Sequence, residues 1–293
     1  MNDSIDSKTL ADAEAVRQVV RDGYAAIARN TSSGCCGPGV SCCGSSPQES
    51  AKLARELGYS EEELQSLPDD ANMGLSCGNP AALAALRRGE VVLDLGSGGG
   101  FDAFIAGQKV GATGLAIGVD MTAEMLGKAR RNLAVYQQQT GLQNVEFRLG
   151  EIEHLPVADN SVDVIISNCV LNLSPDKPQV WREIGRVLKP GGRVAVSDMA
   201  LLKPLPHEVL KLVEALVGCV AGAVLVSETE KMAQAAGLTE ISLRRKSNYI
   251  EAMISCEDPL YRKIIEHLPA DSQPSDYITS VEVQARKPIH RTI

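Results

Sequence analysis

The chain has 293 residues, 44% hydrophobic and 23% charged, a globular composition long enough for one large domain or two modest ones. Its 29 Lys and Arg stand against 37 Asp and Glu, a net charge of −8, and aromatics make up only 3%. This argues against nucleic acid as the main partner, because phosphate binding needs concentrated positive charge and single-strand binding needs stacking rings.

The start, Met1-Asn2-Asp3-Ser4-Ile5-Asp6, has no basic or apolar export signal. The longest apolar run, 12 residues from Ala215 to Val226, is too short to span a bilayer. A cytoplasmic protein with no membrane contact is therefore expected. Residues 8–29 carry Val16, Val19, Val20, Tyr24 and Ile27 at the spacing of an amphipathic helix. Residues 31–50 are rich in Gly, Ser, Pro and Cys and read as irregular. Ser60 with Glu63 forms a capping-box pattern at a short helix. Asn79-Pro80 opens another helix, which Gly89 is expected to end.

Strands and helices then alternate. Strands are expected over 91–95, 115–119 (ending at Asp120), 145–149, 162–167 and 193–197. Helices are expected from about Phe101, over 122–139 with Thr122 as a plausible cap, and over 177–188, stopped by Pro190-Gly191-Gly192. This alternation predicts an α/β fold with a doubly wound, mostly parallel sheet. Past residue 200, apolar helices fill about 206–237, with a second capping box at Ser227/Glu230, and strand-like runs follow at 240–249 and 278–287. The expected division is an N-terminal part with helices and a Cys-rich loop (1–70), a cofactor domain (71–205), and a C-terminal covering region completing the sheet (206–293).

The segment Val91-Val92-Leu93-Asp94-Leu95-Gly96-Ser97-Gly98-Gly99-Gly100-Phe101-Asp102 runs from a strand through glycines into a helix. Such a loop lets the backbone approach a ligand, and the helix N-terminus favours its negative group. The dinucleotide fingerprint needs glycine at 101, where Phe101 stands. The spacing is Asp94-x-Gly96-x-Gly98-x-Gly100, which resembles the S-adenosylmethionine loop of class I methyltransferases. Asp120 follows Gly96 by 24 residues, where an acidic side chain can accept from both ribose hydroxyls. The loop Gly150-Glu151-Ile152-Glu153-His154-Leu155-Pro156 follows the third strand, where this superfamily borders the adenine.

The eight cysteines are Cys35, Cys36, Cys42, Cys43, Cys77, Cys169, Cys219 and Cys256. In a reducing compartment they read as metal-binding, redox or catalytic thiols before they read as a disulfide scaffold. Cys77 precedes a helix N-terminus, which favours thiolate. Cys169 follows the fourth strand, at the carboxyl end where open α/β sheets bind ligands. Cys219 lies within the apolar helical region and by itself looks like a small buried hydrophobe. No Cys-x-x-Cys pair occurs, which leaves a zinc knuckle poorly supported. The vicinal pairs Cys35-Cys36 and Cys42-Cys43 suit a thiol relay or a soft-metal trap.

The glycine loop, the segments Asn72–Pro80 and Asn168-Cys169-Val170-Leu171-Asn172-Leu173, and Cys219 together resemble the arsenite S-adenosylmethionine methyltransferase family. The intervals agree, with 92 residues from Cys77 to Cys169 and 50 from Cys169 to Cys219. The resemblance implies a methyltransferase in which Cys77, Cys169 and Cys219 bind trivalent arsenic. It also implies that one of Cys35, Cys36, Cys42 or Cys43 forms a disulfide with Cys77 during turnover, reduced by glutathione or a thioredoxin-type partner. Asp94, Gly96, Ser97, Gly98, Gly100, Asp120, Met121, Glu151, Ile152 and Asn168 would hold S-adenosylmethionine. Cys256 matches no motif and reads as structural. Two alternatives stay open: a methyltransferase for another small molecule, and a non-catalytic binder of soft metals.

Overall fold

The computed structural model describes residues 12–29, 47–68, 70–246, 248–255 and 258–289. Cys35, Cys36, Cys42, Cys43 and Cys256, and the expectations attached to them, lie outside the described residues. The chain begins with α1 (Ala13–Arg29), α2 (Pro47–Glu56), α3 (Glu61–Gln65) and α4 (Pro80–Leu83). The alternating region contains β1 (Val91–Leu95), α5 (Phe101–Val110), β2 (Leu115–Asp120), α6 (Ala123–Thr140), β3 (Val145–Leu149), β4 (Val162–Asn168), α7 (Lys177–Val187) and β5 (Leu188–Leu201). There follow α8 (His207–Leu210), α9 (Val213–Val217), α10 (Val226–Ala235), β6 (Thr239–Lys246), α11 (Asn248–Ser255), α12 (Pro259–Glu266) and β7 (Ile278–Arg286).

The strands form one seven-stranded sheet in the order β3-β2-β1-β4-β5-β7-β6. The first five run parallel, and β7 is antiparallel to both β5 and β6. This is the expected doubly wound, mostly parallel sheet, and the C-terminal strands complete it. Both faces of the central strands are buried, so neighbouring residues on such a strand feed different cores. Leu93 and Leu95 of β1 pack with Trp181 and Ile184 of α7 on one face. Val92 packs with Phe104 of α5 and Tyr136 of α6 on the other. A third cluster joins Val16 and Val20 of α1 to Leu216, Ile250 and Ile264 of the C-terminal helices, and it contains Cys77, Cys169 and Cys219. Among the described residues no helix is long and apolar enough to cross a membrane.

Several boundaries differ from expectation. Residues 47–50 open α2, because Pro47 suits a first helical turn and Ser50, Leu53 and Ala54 bury one side. The helix capped by Asn79 stops at Leu83, six residues before Gly89, because Ala85 turns left-handed (φ 48°). The Thr122 hydroxyl makes no cap bond, and Asp120 Oδ1 accepts from the Thr122 N–H instead (2.8 Å). Pro190-Gly191-Gly192 lie within β5 at an irregular stretch of its pairing with β4, held by Gly191 N–H donating to Lys287 O (2.9 Å). The box expected at Ser227/Glu230 is not made, because α10 begins at Val226; only a single return bond forms at its start, Leu225 N–H donating to Glu228 Oε2 (3.1 Å). Cys219 sits in the turn after α9, not inside a helix.

Candidate active site

The parallel strands end on a cleft lined from α1, the end of β2 and the loops after β1, β3 and β4. Its floor is the loop after β1. Gly96 takes φ +65°, and a Cβ there would fall 2.2 Å from Val170 Cγ2, so only glycine lets this loop pack against the β4 loop. Gly98 N–H donates to Asp120 Oδ2 (3.0 Å), which ties the glycine loop to the end of β2. The Ser97 hydroxyl is buried and has no hydrogen-bond partner among the described residues. Asp94, Gly96, Ser97, Gly98, Asp120, Met121, Ile152 and Asn168 all line the cleft, as the sequence suggested. Gly100 and Glu151 do not, and the Glu151 carboxylate turns outward to Arg17 (3.6 Å) and Arg21 (3.4 Å).

Three carboxylates crowd this cleft. Burial, reinforced by the charges of Asp102 and Asp120, lifts the Asp94 carboxyl well above the usual carboxylate range. Burial alone lifts Asp120, against hydrogen bonds from Thr122 and Gly98. Asp102 rises to about 6 by burial, opposed by hydrogen bonds from Asn168 and Tyr59. Such a cluster favours a cationic ligand. The orphaned Ser97 hydroxyl and the acidic lining fit S-adenosylmethionine, a cationic sulfonium with a ribose diol.

The sequence missed the opposite wall. Arg17, Val20 and Tyr24 of α1 line the cleft. Arg17 Nε donates to Glu153 Oε1 (3.4 Å), whose buried carboxylate also accepts from the Ser174 hydroxyl (2.7 Å). Tyr24 Oη donates to Val217 O (3.2 Å), two residues before Cys219. The signal for Arg17 was faint, a basic residue beside the apolar stripe Val16 and Val20.

The cysteines converge at the edge of the cleft, which Cys169 lines. Cys77 and Cys169 are joined by a disulfide, with Cα atoms 6.1 Å apart. This differs from the expected link between Cys77 and an N-terminal cysteine, whose candidates are not described. Cys219 Sγ donates to Cys169 O (2.7 Å). With two sulfurs joined, no group of three or more His, Cys, Asp or Glu among the described residues is arranged to hold a metal ion. Cys169 (φ 54°) and Cys219 (φ 62°) both adopt the left-handed conformation, a cost that clusters at functional sites. Asp198 binds the intervening segment, accepting from Leu171 N–H (2.9 Å), Asn172 Nδ2 (2.9 Å) and Met199 N–H (2.8 Å). Asn172 O in turn packs on Gly222, where a Cβ would fall 2.1 Å away. Half-buried Lys177 faces Asp198, Cys219 and Glu153, and desolvation holds its ammonium below the ordinary lysine range.

Fold and site together define a class I S-adenosylmethionine-dependent methyltransferase. A family model described as a methyltransferase domain matches residues 86–237. An arsenite methyltransferase of Halobacterium salinarum is 44% identical over 295 residues, covering 97% of this chain and 71% of the relative. The human arsenite methyltransferase is 41% identical over 152 residues, which span 50% of this chain and 40% of that protein. Among solved structures, the arsenic(III) S-adenosylmethionine methyltransferase of Chlamydomonas reinhardtii shares 31% identity at a TM-score of 0.59, covering 83% of this chain and 73% of that one. The fold alone is shared with a Haemonchus contortus phosphoethanolamine N-methyltransferase in complex with S-adenosylhomocysteine, at 17% identity and a TM-score of 0.54. Within the methyltransferase class, the chain belongs to the arsenite methyltransferase family.

Proposed function

We propose that this enzyme methylates trivalent arsenic, arsenite and methylarsenite, held by thiolates of Cys77, Cys169 and Cys219. The observation that carries the reading is the convergence of these three residues at the edge of the cofactor cleft. The Cα atoms of Cys77 and Cys169 are 6.1 Å apart, and Cys219 Sγ lies 2.7 Å from Cys169 O. Arsenic(III) is soft, and thiolates are its natural ligands. Three sulfurs suit its pyramidal geometry and leave one lone pair free. When bound, S-adenosylmethionine supplies a sulfonium methyl group as the electrophile for that lone pair. The nucleophile carries no proton, so no general base is needed. The chain's work is then positioning, which in general contributes on the order of 7–11 kcal/mol.

Methylation raises arsenic to the pentavalent state. Two thiolates of the site return two electrons to it and become a disulfide, and the Cys77–Cys169 bond joins residues placed for that step. Glutathione or a thioredoxin-type dithiol would then restore the thiols. Cys35, Cys36, Cys42 and Cys43 are the candidates for passing electrons inward.

The test is incubation of the purified, reduced enzyme with arsenite, S-adenosylmethionine and a thiol, with products resolved by mass spectrometry. Methylated arsenic is expected from the wild type and none from Cys169→Ser, because serine is a hard, poor arsenic ligand. Arsenite binding without methyl transfer would instead identify a soft-metal binder. A wild-type rate in Cys169→Ser would refute the arsenic-thiolate mechanism.

A further inference from the structure

We infer that Asn168 is a positioning residue that fixes Cys77 beside Cys169, and that Asp102 and Tyr59 set the direction in which its side chain works. Asn168 is the last residue of β4 and directly precedes Cys169. Its Oδ1 accepts the backbone N–H of Cys77 (3.0 Å) and lies 3.6 Å from Cys77 Sγ. Its Nδ2 faces Gly78 O (2.9 Å), Asp102 Oδ2 (3.0 Å) and Tyr59 Oη (3.2 Å). Tyr59 Oη donates to Asp102 Oδ1 (2.7 Å), so its lone pairs are turned toward Asn168. A carboxylate and a carbonyl can only accept, so the amide nitrogen must face them. The amide oxygen is thereby committed to Cys77 N–H. Flipping the amide would set oxygen against two obligate acceptors, Gly78 O and Asp102 Oδ2, and nitrogen against a donor.

This orientation matters because the Cys77 segment belongs to no helix or strand. When the disulfide is reduced, its other side-chain tether is weaker, Ser280 Oγ donating to Cys77 O at 3.3 Å. Asn168 therefore spans the pair, attached to Cys169 through the backbone and to Cys77 through its side chain. Chelation of one atom by two thiols depends on their mutual placement, as does disulfide formation between them. The consequence for arsenic rests on the proposed function; the placement of the two thiols does not.

The experiment compares wild type, Asn168→Ala and Tyr59→Phe, the second lying outside the cleft and losing only a hydroxyl. Each is equilibrated with oxidised and reduced glutathione at fixed ratio. Protein dithiol and one oxidised glutathione exchange for the disulfide and two reduced glutathiones, and the Cys77–Cys169 peptide link is counted by mass spectrometry. Loss of a hydrogen bond that holds the pair is expected to lower that equilibrium about tenfold in Asn168→Ala and roughly two- to fivefold in Tyr59→Phe. Arsenite affinity of the reduced proteins should fall in the same order, with the S-adenosylhomocysteine affinity of Tyr59→Phe, outside the cleft, within about twofold of wild type. If wild type ignores arsenite while the thiol equilibrium shifts as stated, the substrate assignment fails and the positioning role stands. If both variants keep the wild-type thiol equilibrium, or Asn168→Ala weakens S-adenosylhomocysteine and leaves the thiols untouched, the role is overturned and Asn168 is a cofactor ligand.

Discussion

Replacing Arg17 with alanine tests whether α1 is a working wall of the cofactor cleft. Arg17 reaches Glu153 at 3.4 Å and Glu151 at 3.6 Å from a side chain only 15% exposed, while the Glu153 side chain is 3% exposed. Exposed ion pairs contribute about 0–1 kcal/mol, and breaking a buried pair costs about 3–5 kcal/mol. This one lies between those limits. Its contacts are long, and Glu153 keeps the Ser174 hydroxyl at 2.7 Å when the guanidinium is gone. A loss of about 1–2 kcal/mol follows. Arg17 lines the cleft and anchors α1 to the loop after β3, so that loss should appear in cofactor binding, a roughly 5–30-fold weaker Kd for S-adenosylhomocysteine. Calorimetric titration at low and high salt is the assay, since salt screens what remains exposed of the pair. The wild type should lose affinity with salt more steeply than the variant. Equal affinity of the two proteins at low salt refutes the role given to α1.

Two further outcomes follow from the segments that hold Cys169 and Cys219. Gly222→Ala places a Cβ 2.1 Å from the Asn172 backbone oxygen, so a backbone must move, at a cost of about 1–3 kcal/mol in urea unfolding. Because Cys219 lies three residues earlier, arsenite affinity should drop as well, and an unchanged midpoint with unchanged affinity would contradict the packing. Burial raises the Asp198 carboxyl from 3.8 to about 6, so between those values the folded state holds a proton that the unfolded state has released. The contribution of Asp198 to stability therefore falls as pH rises through that window and is constant above it. Asparagine does not titrate, so the stability difference between wild type and Asp198→Asn should move against the wild type by about 3 kcal/mol from pH ~4 to ~7. Urea unfolding across pH reads it, and a flat difference would show that Asp198 is not desolvated.

The parallel half of the sheet was legible because its central strands are buried on both faces. Such strands read as short, mostly apolar runs, as in Val91–Leu95 and Val162–Asn168. The cofactor loop was legible for a related reason, since close backbone approach at Gly96 admits one residue type. What escaped is set by contacts distant in sequence. The start of α2 depends on burying Ser50, Leu53 and Ala54, which the composition of residues 31–50 conceals. The extension of β5 through Pro190-Gly191-Gly192 depends on pairing near Lys287. Within the site, Glu151 read as a cofactor contact because of its place in the chain, but the two arginines of α1 claim its carboxylate. Asp102 and Tyr59 carry no spacing of their own, and only the fold brings them to Asn168.

The acidic cleft also bears on the order of events. Asp94, Asp102 and Asp120 are all held above their ordinary range, with burial the leading cause in each. Desolvated carboxylates near one another are costly until a positive charge joins them. A sulfonium-bearing methyl donor brings that charge, and the thioether left after methyl transfer does not. The same three side chains are therefore expected to favour the methyl donor over the spent cofactor, and a calorimetric Kd no weaker for S-adenosylhomocysteine than for S-adenosylmethionine would refute this. Asp102 links this to the thiols, because the carboxylate that faces the cleft also orients the Asn168 amide toward Cys77. The cofactor cleft and the placement of the Cys77 thiol are thus connected through one buried side chain.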